Sequence, residues 1–278
     1  MTEISAALVK ELRDTTNVSM MECKKALQDA GGDMEKAIRL LRERGMAVGA
    51  RRAGKATNQG IIATASTQGG AAVALAEVNC ETDFVARNEG FRTFAQRMAE
   101  KACSTDAALA DLAKDDLGAQ MAAIGENIVI RRNLRYVLQG PGVIASYIHL
   151  GGKVGVMVEV GCGKPDTVSK DAFRTLASDL ALHVVACNQQ YLASADVPAG
   201  VIASEREIYA KQVTGKPPQV MEKIVDGKLK KFFSDVCLMD QLFVKEQKVS
   251  ITQLLAEVGK TLGDALTIRR FTRYQLGA

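Results

Sequence analysis

Apolar residues return at helical intervals through the first part of the chain, then give way near residue 60 to short apolar runs bounded by glycine turns. Ile4, Leu8 and Leu12 share one helical face. Ser19-Met20-Met21-Glu22 has the form of a capping box and predicts a second helix, which carries Cys23, Leu27 and Ala30 and stops at Gly31-Gly32. Asp33 can cap a third, with Met34, Ile38 and Leu41 as its buried stripe and Gly45 at its end. The pattern predicts a small three-helix domain over 1–45. Residues 46–59, with Arg51, Arg52, Lys55 and Asn58, read as a basic linker. Two readings stand for it, a solvated tether and a nucleic-acid contact, and the tether is favoured.

From residue 60 one plan is written twice. Gly60-Ile61-Ile62-Ala63 lies on Gly142-Val143-Ile144-Ala145 at an offset of 82 (142 − 60). In the same register Glu77-Val78-x-Cys80 meets Glu159-Val160-x-Cys162, and Phe91-Arg92-Thr93 meets Phe173-Arg174-Thr175. Ile130-Arg131-Arg132 then matches Ile268-Arg269-Arg270 at an offset of 138 (268 − 130), so the second copy carries 56 extra residues (138 − 82). Each copy predicts a hairpin around Gly69-Gly70 or Gly151-Gly152, a helix beginning near Glu89 or Asp171, a second helix ending at Ile124-Gly125 or Leu262-Gly263, and a closing strand over 128–138 or 266–276. In the first closing strand apolar residues alternate with arginines, as in a sheet with one face buried and one wet.

These elements make an α+β fold with antiparallel sheets in two subdomains, 60–140 and 141–189 with 247–278. The extra segment, 190–246, predicts two helices over 205–212 and 220–232, broken apart at Thr214-Gly215-Lys216-Pro217-Pro218. This is a helical hairpin projecting from the core, either a decorative excursion or an interaction arm.

Composition narrows the function classes. A chain of 278 residues, 47% hydrophobic and 24% charged, has the balance of a globular protein of two or three domains. A net charge of +4 is weaker than the patch of a dedicated nucleic-acid binder. No apolar run is long enough to span a bilayer, and the start lacks a signal-peptide core, which predicts a cytoplasmic protein with no membrane partner. Six scattered cysteines without a C-x-x-C pair fit a reducing compartment and predict no metal site.

Catalytic motifs are missing. Gly259-Lys260-Thr261 resembles the end of a phosphate-binding loop, yet Leu254 stands where the earlier glycine is needed. His183 lies in an apolar helical stretch and reads as a packed histidine. The pattern predicts no covalent chemistry and no cofactor.

The copies diverge after the shared Val-x-Cys. The first continues Glu81-Thr82-Asp83-Phe84-Val85-Ala86 and the second Gly163-Lys164-Pro165-Asp166-Thr167-Val168. A ring needed by the core should have an apolar twin, and Phe84 has none. Phe84 therefore either projects outward as an interface anchor or folds back as a local plug. His149 stands at the second hairpin tip, where the first copy has Thr67. Taken alone it reads as a lone surface histidine, and Ile124-Gly125-Glu126-Asn127 reads as a helix end.

Thr82-Asp83-Phe84-Val85, Glu77-Val78-Asn79-Cys80, Ile124-Gly125-Glu126-Asn127-Ile128 and Met20-Met21-x-Cys23-Lys24-Lys25-Ala26-Leu27 together resemble the bacterial elongation factor Ts family, in order from residue 4 to about 275. The resemblance implies a non-catalytic exchange factor that promotes GDP release from the GDP-bound form of the translational GTPase elongation factor Tu. It implies a ubiquitin-associated-like (UBA-like) fold for the first three helices and a coiled coil for the insert, which can mediate dimerisation. Thr82, Asp83, Phe84 and Val85 are implied to dislocate the partner's Mg²⁺, with Phe84 wedged between its helices and Ile124 and Gly125 bordering the intrusion. Arg13, Met20, Met21, Lys24, His149 and Val244 are implied to be further contacts, which for His149 reverses the reading from the residues alone. Departures are Lys245, where relatives commonly have Met, and the end at Ala278 soon after the last strand, so that the contacts some members make through a further C-terminal helical module are not carried over to this sequence. Direct nucleic-acid binding is not expected. Two other classes stay in view: a ubiquitin-binding adaptor using the first domain, and an RNA binder using Arg51, Arg52 and the Ile-Arg-Arg strands.

Overall fold

A computed structural model describes residues 4–16, 18–52, 54–213 and 217–278, leaving aside the side chains of 46 and 48–51. The Arg51 side chain and residues 214–216 of the expected break thus lie outside what is described. Helices α1 (Ala6–Thr16), α2 (Met20–Asp29) and α3 (Met34–Arg52) form the first domain. Leu12, Cys23, Leu27 and Leu41 are buried at its centre, with Ile4, Leu8, Met34 and Ile38 packed around them. Both caps form as the pattern predicts: the Glu22 amide donates to the Ser19 hydroxyl at 3.4 Å, and the Lys36 amide donates to Asp33 at 3.0 Å.

Gly45 does not end the third helix. It lies inside α3, against α7 (Lys114–Ile124), where a Cβ would stand 2.3 Å from the carbonyl oxygen of Gly118. The glycine serves a close backbone approach and not a stop. The linker is accordingly much shorter than the basic 46–59 stretch predicted. Arg52, at the end of α3, is held by Glu81 at 2.9 and 3.1 Å.

The first repeat is β1 (Gln59–Ser66), β2 (Ala72–Cys80), α4 (Asp83–Arg87), α5 (Glu89–Ala102), α6 (Leu109–Leu112), α7 and β3 (Ile128–Val137). Its sheet has the order β1-β2-β3, antiparallel throughout, with β2 buried along its whole length. Phe91, Phe94 and Met98 of α5 fill the core over this sheet. The register shifts between Glu77 and Val78, inserting Arg131 as an extra residue between Ile130 and Arg132. The expected alternation of apolar residues and wet arginines breaks there. Arg132 reaches Glu77, which is fully buried, with Nε at 2.7 Å.

The second repeat has β4 (Gly142–His149), β5 (Val154–Cys162), α8 (Asp171–Ala186), α11 (Ile251–Leu262) and β8 (Leu266–Gln275), with sheet order β4-β5-β8. Buried Glu159 repeats the arrangement of Glu77, accepting from Arg270 Nε at 2.7 Å and Arg269 Nη1 at 3.1 Å. Gly259-Lys260-Thr261 is simply helical, within α11. The insert contains α9 (Ala199–Gln212) and α10 (Pro218–Val236), both longer than predicted, packed on one another and joined by an Arg206–Asp226 ion pair of 2.9 Å. The pair β6 (Leu242–Phe243) and β7 (Glu246–Ser250) straddles the predicted insert boundary at 246.

The chain divides into two compact units. One comprises Met1–Val137, Ile148–Gly155 and Tyr274–Ala278; the other comprises Leu138–Tyr147 and Val156–Arg273. This division does not follow the repeat boundary, because the tip of the second hairpin and the last residues join the first unit. The Ile62 amide donates to Gly152 O at 2.7 Å, and the Gly277 amide donates to Glu77 at 3.0 Å. Gly152, at φ +105°, permits the approach, since a Cβ there would meet Ile61 Cβ at 2.8 Å. No described helix is long and apolar enough to cross a membrane.

Candidate functional site

The corner 81–88 holds an apolar ring in solvent on a short helix. A five-residue helix has little stability of its own, so α4 depends on its surroundings. Ala86 is buried, and Val85 packs on the core of the first repeat. Thr82 caps the helix by accepting from the Val85 amide at 3.3 Å. Asn88 ends α4 and caps α5, accepting from the Phe91 amide at 3.2 Å. Between these anchors Phe84 is 81% exposed. The plug reading of Phe84 is thereby overturned, and the ring lies in solvent.

Two carboxylates brace the corner, Glu126 from beyond α7 and the corner's own Glu81. Glu126, just beyond the end of α7, accepts from the Glu81 amide at 3.1 Å, the Thr82 amide at 3.0 Å and the Thr82 hydroxyl at 2.6 Å. Glu81 in return accepts from the Asn127 amide at 2.6 Å. That amide, and after it the Arg52 guanidinium, hold the Glu81 carboxyl below its ordinary range. Ile124 and Gly125 thus sit beside the display corner, with Gly125 in the left-handed conformation that ends α7 at φ +80°. Glu126 was legible only as part of a helix end. The signal that could have singled it out is its alignment with Asp264 across the repeat, each acid following a glycine at a helix end.

Asp83 pairs with Arg87 at 2.9 Å on the exposed face of α4, worth at most about 1 kcal/mol at such a position. It also lines a groove of about 520 Å³ with Arg87, Arg92, Leu150, Gly151 and Lys153. The groove brings the Asp83 corner and the hairpin tip together within the first unit. At the tip, Leu150 is 68% exposed and holds a positive φ of 50°, while His149 beside it is half-buried and accepts through its carbonyl from Gly152 and Lys153.

The remaining candidates fall elsewhere. Arg13, Met20, Met21 and Lys24 are exposed on α1 and α2, a separate surface of the first domain, with Met21 at 74%. Val244 belongs to the second unit, partly exposed beside exposed Leu242. Its amide donates to Nδ1 of His183 at 3.3 Å, and His183 Nε2 donates to Gln241 at 3.0 Å. His183 is completely buried, as read, and burial pushes its pKa down. Among the described side chains, the arginines of the RNA-binding reading are in ion pairs: Arg52 with Glu81, Arg131 and Arg132 with Glu77, and Arg269 and Arg270 with Glu159.

Residues 81–278 match the family model described as Elongation factor TS. The chain is 42% identical to Elongation factor Ts of Nitratiruptor sp. and 40% identical to that of Trichlorobacter lovleyi, in each case across 99% of this chain and 93% of the relative. It is 39% identical to Elongation factor Ts of Desulfovibrio desulfuricans across 100% of both chains.

Proposed function

The chain belongs to the elongation factor Ts family of translation elongation proteins, and from that premise we propose that it is the guanine nucleotide exchange factor for the GTPase elongation factor Tu. It acts by binding and carries out no covalent chemistry of its own. The observation that carries the reading is Phe84, exposed on a helix clamped at both ends.

Phe84 enters an apolar pocket between helices of the GDP-bound GTPase, and Thr82, Asp83 and Val85 accompany it toward the Mg²⁺ and phosphate site. Ile124 and Gly125 border the intrusion. His149 at the hairpin tip, the α1–α2 surface with Arg13, Met20, Met21 and Lys24, and Val244 supply further contacts. The first three helices serve as a UBA-like docking module, and the α9–α10 hairpin is a coiled coil available for dimerisation.

Coupling between two ligands of one protein is reciprocal, so a factor that binds better to the distorted nucleotide site must weaken the nucleotide by the same ratio. Burying one phenyl ring contributes about 1.5–3 kcal/mol. At about 1.4 kcal/mol per decade, this ring accounts for roughly one to two decades of loosening, and larger effects draw on the other contacts. The test is release of fluorescent GDP from elongation factor Tu. Addition of this protein accelerates release in proportion to its concentration until saturation; release at the spontaneous rate rules the function out.

A further inference from the structure

The display corner and its counterpart in the second repeat share one device. Asp264, which follows Gly263 at the end of α11, accepts from the Gly163 amide at 3.1 Å, the Lys164 amide at 3.0 Å and the Thr167 hydroxyl at 2.6 Å. Glu126, which follows Gly125 at the end of α7, accepts two successive amides and a threonine hydroxyl in the same manner. The alignment that relates Ile130 to Ile268 also relates Glu126 to Asp264. An acid that turns the chain after the second hairpin strand is therefore part of the common plan. In one copy only has that turn been given a projecting phenyl ring.

In the first copy the clamp does more than close a loop. The Thr82 hydroxyl donates to Glu126 at 2.6 Å and accepts from the Val85 amide at 3.3 Å. With its proton committed to the carboxylate, its lone pairs are left to face the helix. Glu126 thereby fixes the direction of the cap that starts α4, and Phe84 is the second residue of that helix. Charge-assisted bonds of this kind are stronger than neutral ones. Reorienting α4 by even a fraction of a turn would redirect the ring.

We propose that Glu126 is a positioning residue for nucleotide exchange, holding Thr82 and the start of α4 so that Phe84 projects at the angle the partner requires. The inference rests on the reading of Phe84 as the exchange wedge. Glu126 touches neither nucleotide nor metal in this scheme. Its removal lowers the maximal rate of stimulated GDP release far more than it raises the concentration of factor giving half-maximal stimulation, because the other contact surfaces persist.

The experiment compares the full-length wild type with Glu126→Gln, Thr82→Val, Thr82→Ser and Asp264→Asn. Each is assayed for maximal rate and half-saturating concentration in GDP release, for melting temperature, and for amide hydrogen exchange at Thr82 and Val85 in the free protein. Glu126→Gln and Thr82→Val are expected to lose roughly tenfold in maximal rate, the scale set by losing bonds to a charged acceptor. Thr82→Ser, which keeps the hydroxyl, stays near wild type. Asp264→Asn melts at a lower temperature but keeps the maximal rate. A wild-type maximal rate in Glu126→Gln overturns the proposal, as does an equal loss in Asp264→Asn, which would make the effect one of general stability. If the wild type itself fails to accelerate release, the exchange reading falls while amide exchange still judges the clamp. Faster exchange at Thr82 and Val85 in Glu126→Gln then supports positioning, and unchanged exchange overturns it.

Discussion

At the scale of single residues, the informative ones are those whose environment contradicts their chemistry. Phe84 is an aromatic residue left in water, while Glu77 and Glu159 are carboxylates placed wholly inside. Replacing Phe84 with Ala changes the melting free energy by no more than about 0.5 kcal/mol, since the ring touches little of its own subunit. The buried acids behave oppositely. Glu77→Gln strips Arg132 of its charged partner and costs about 1–3 kcal/mol in urea unfolding; Glu159→Gln does the same for Arg269 and Arg270. His183 gives a pH dependence. Its folded pKa lies below the ordinary 6.5 through burial, with the Gln241 bond opposing, so it contributes stability above pH 6.5. That contribution fades as pH falls through the folded pKa, because protonating Nδ1 breaks the bond from the Val244 amide. Thermal melts between pH 7 and 5 should show a loss that a His183→Gln variant lacks.

At the scale of elements, sequence pattern served best where one period and one cap agreed. The starts of α2 and α3 were readable from Ser19 and Asp33, and the ends of α7 and α11 from Gly125 and Gly263. Gly45 shows the limit. A glycine that ends a helix and one that admits another helix look alike in a sequence, and only the approach of Gly118 distinguishes them. Gly45→Val should therefore cost about 1–3 kcal/mol through overpacking, although valine has a better helix propensity than glycine. A melting curve unchanged by that substitution would dismiss the close-contact account. The arginine-rich closing strand failed for a different reason: a bulge adds one residue, and the face presented by everything beyond it changes. The extent of α4 was similarly hidden, because its stability comes from Glu126 and from the core and not from its own five residues.

At the scale of the whole molecule, the doubled plan was the most legible feature of the sequence, and its copies differ at the corner that exposes Phe84. What the repeat could not disclose was exchange between its halves. The tip at 148–155 and the tail at 274–278 pack into the first unit, a consequence of contacts at Ile62, Lys153 and Glu77 that lie far apart in the chain. In the proposed function, family membership points to the partner and the exposed ring is the means. Both meet in one stopped-flow measurement, the saturating rate at which fluorescent GDP leaves elongation factor Tu with wild type and with Phe84→Ala. The account predicts a maximal rate roughly 10- to 100-fold lower for the variant, the equivalent of one buried phenyl ring, with its melting temperature unaltered. Equal maximal rates for the two proteins would contradict it.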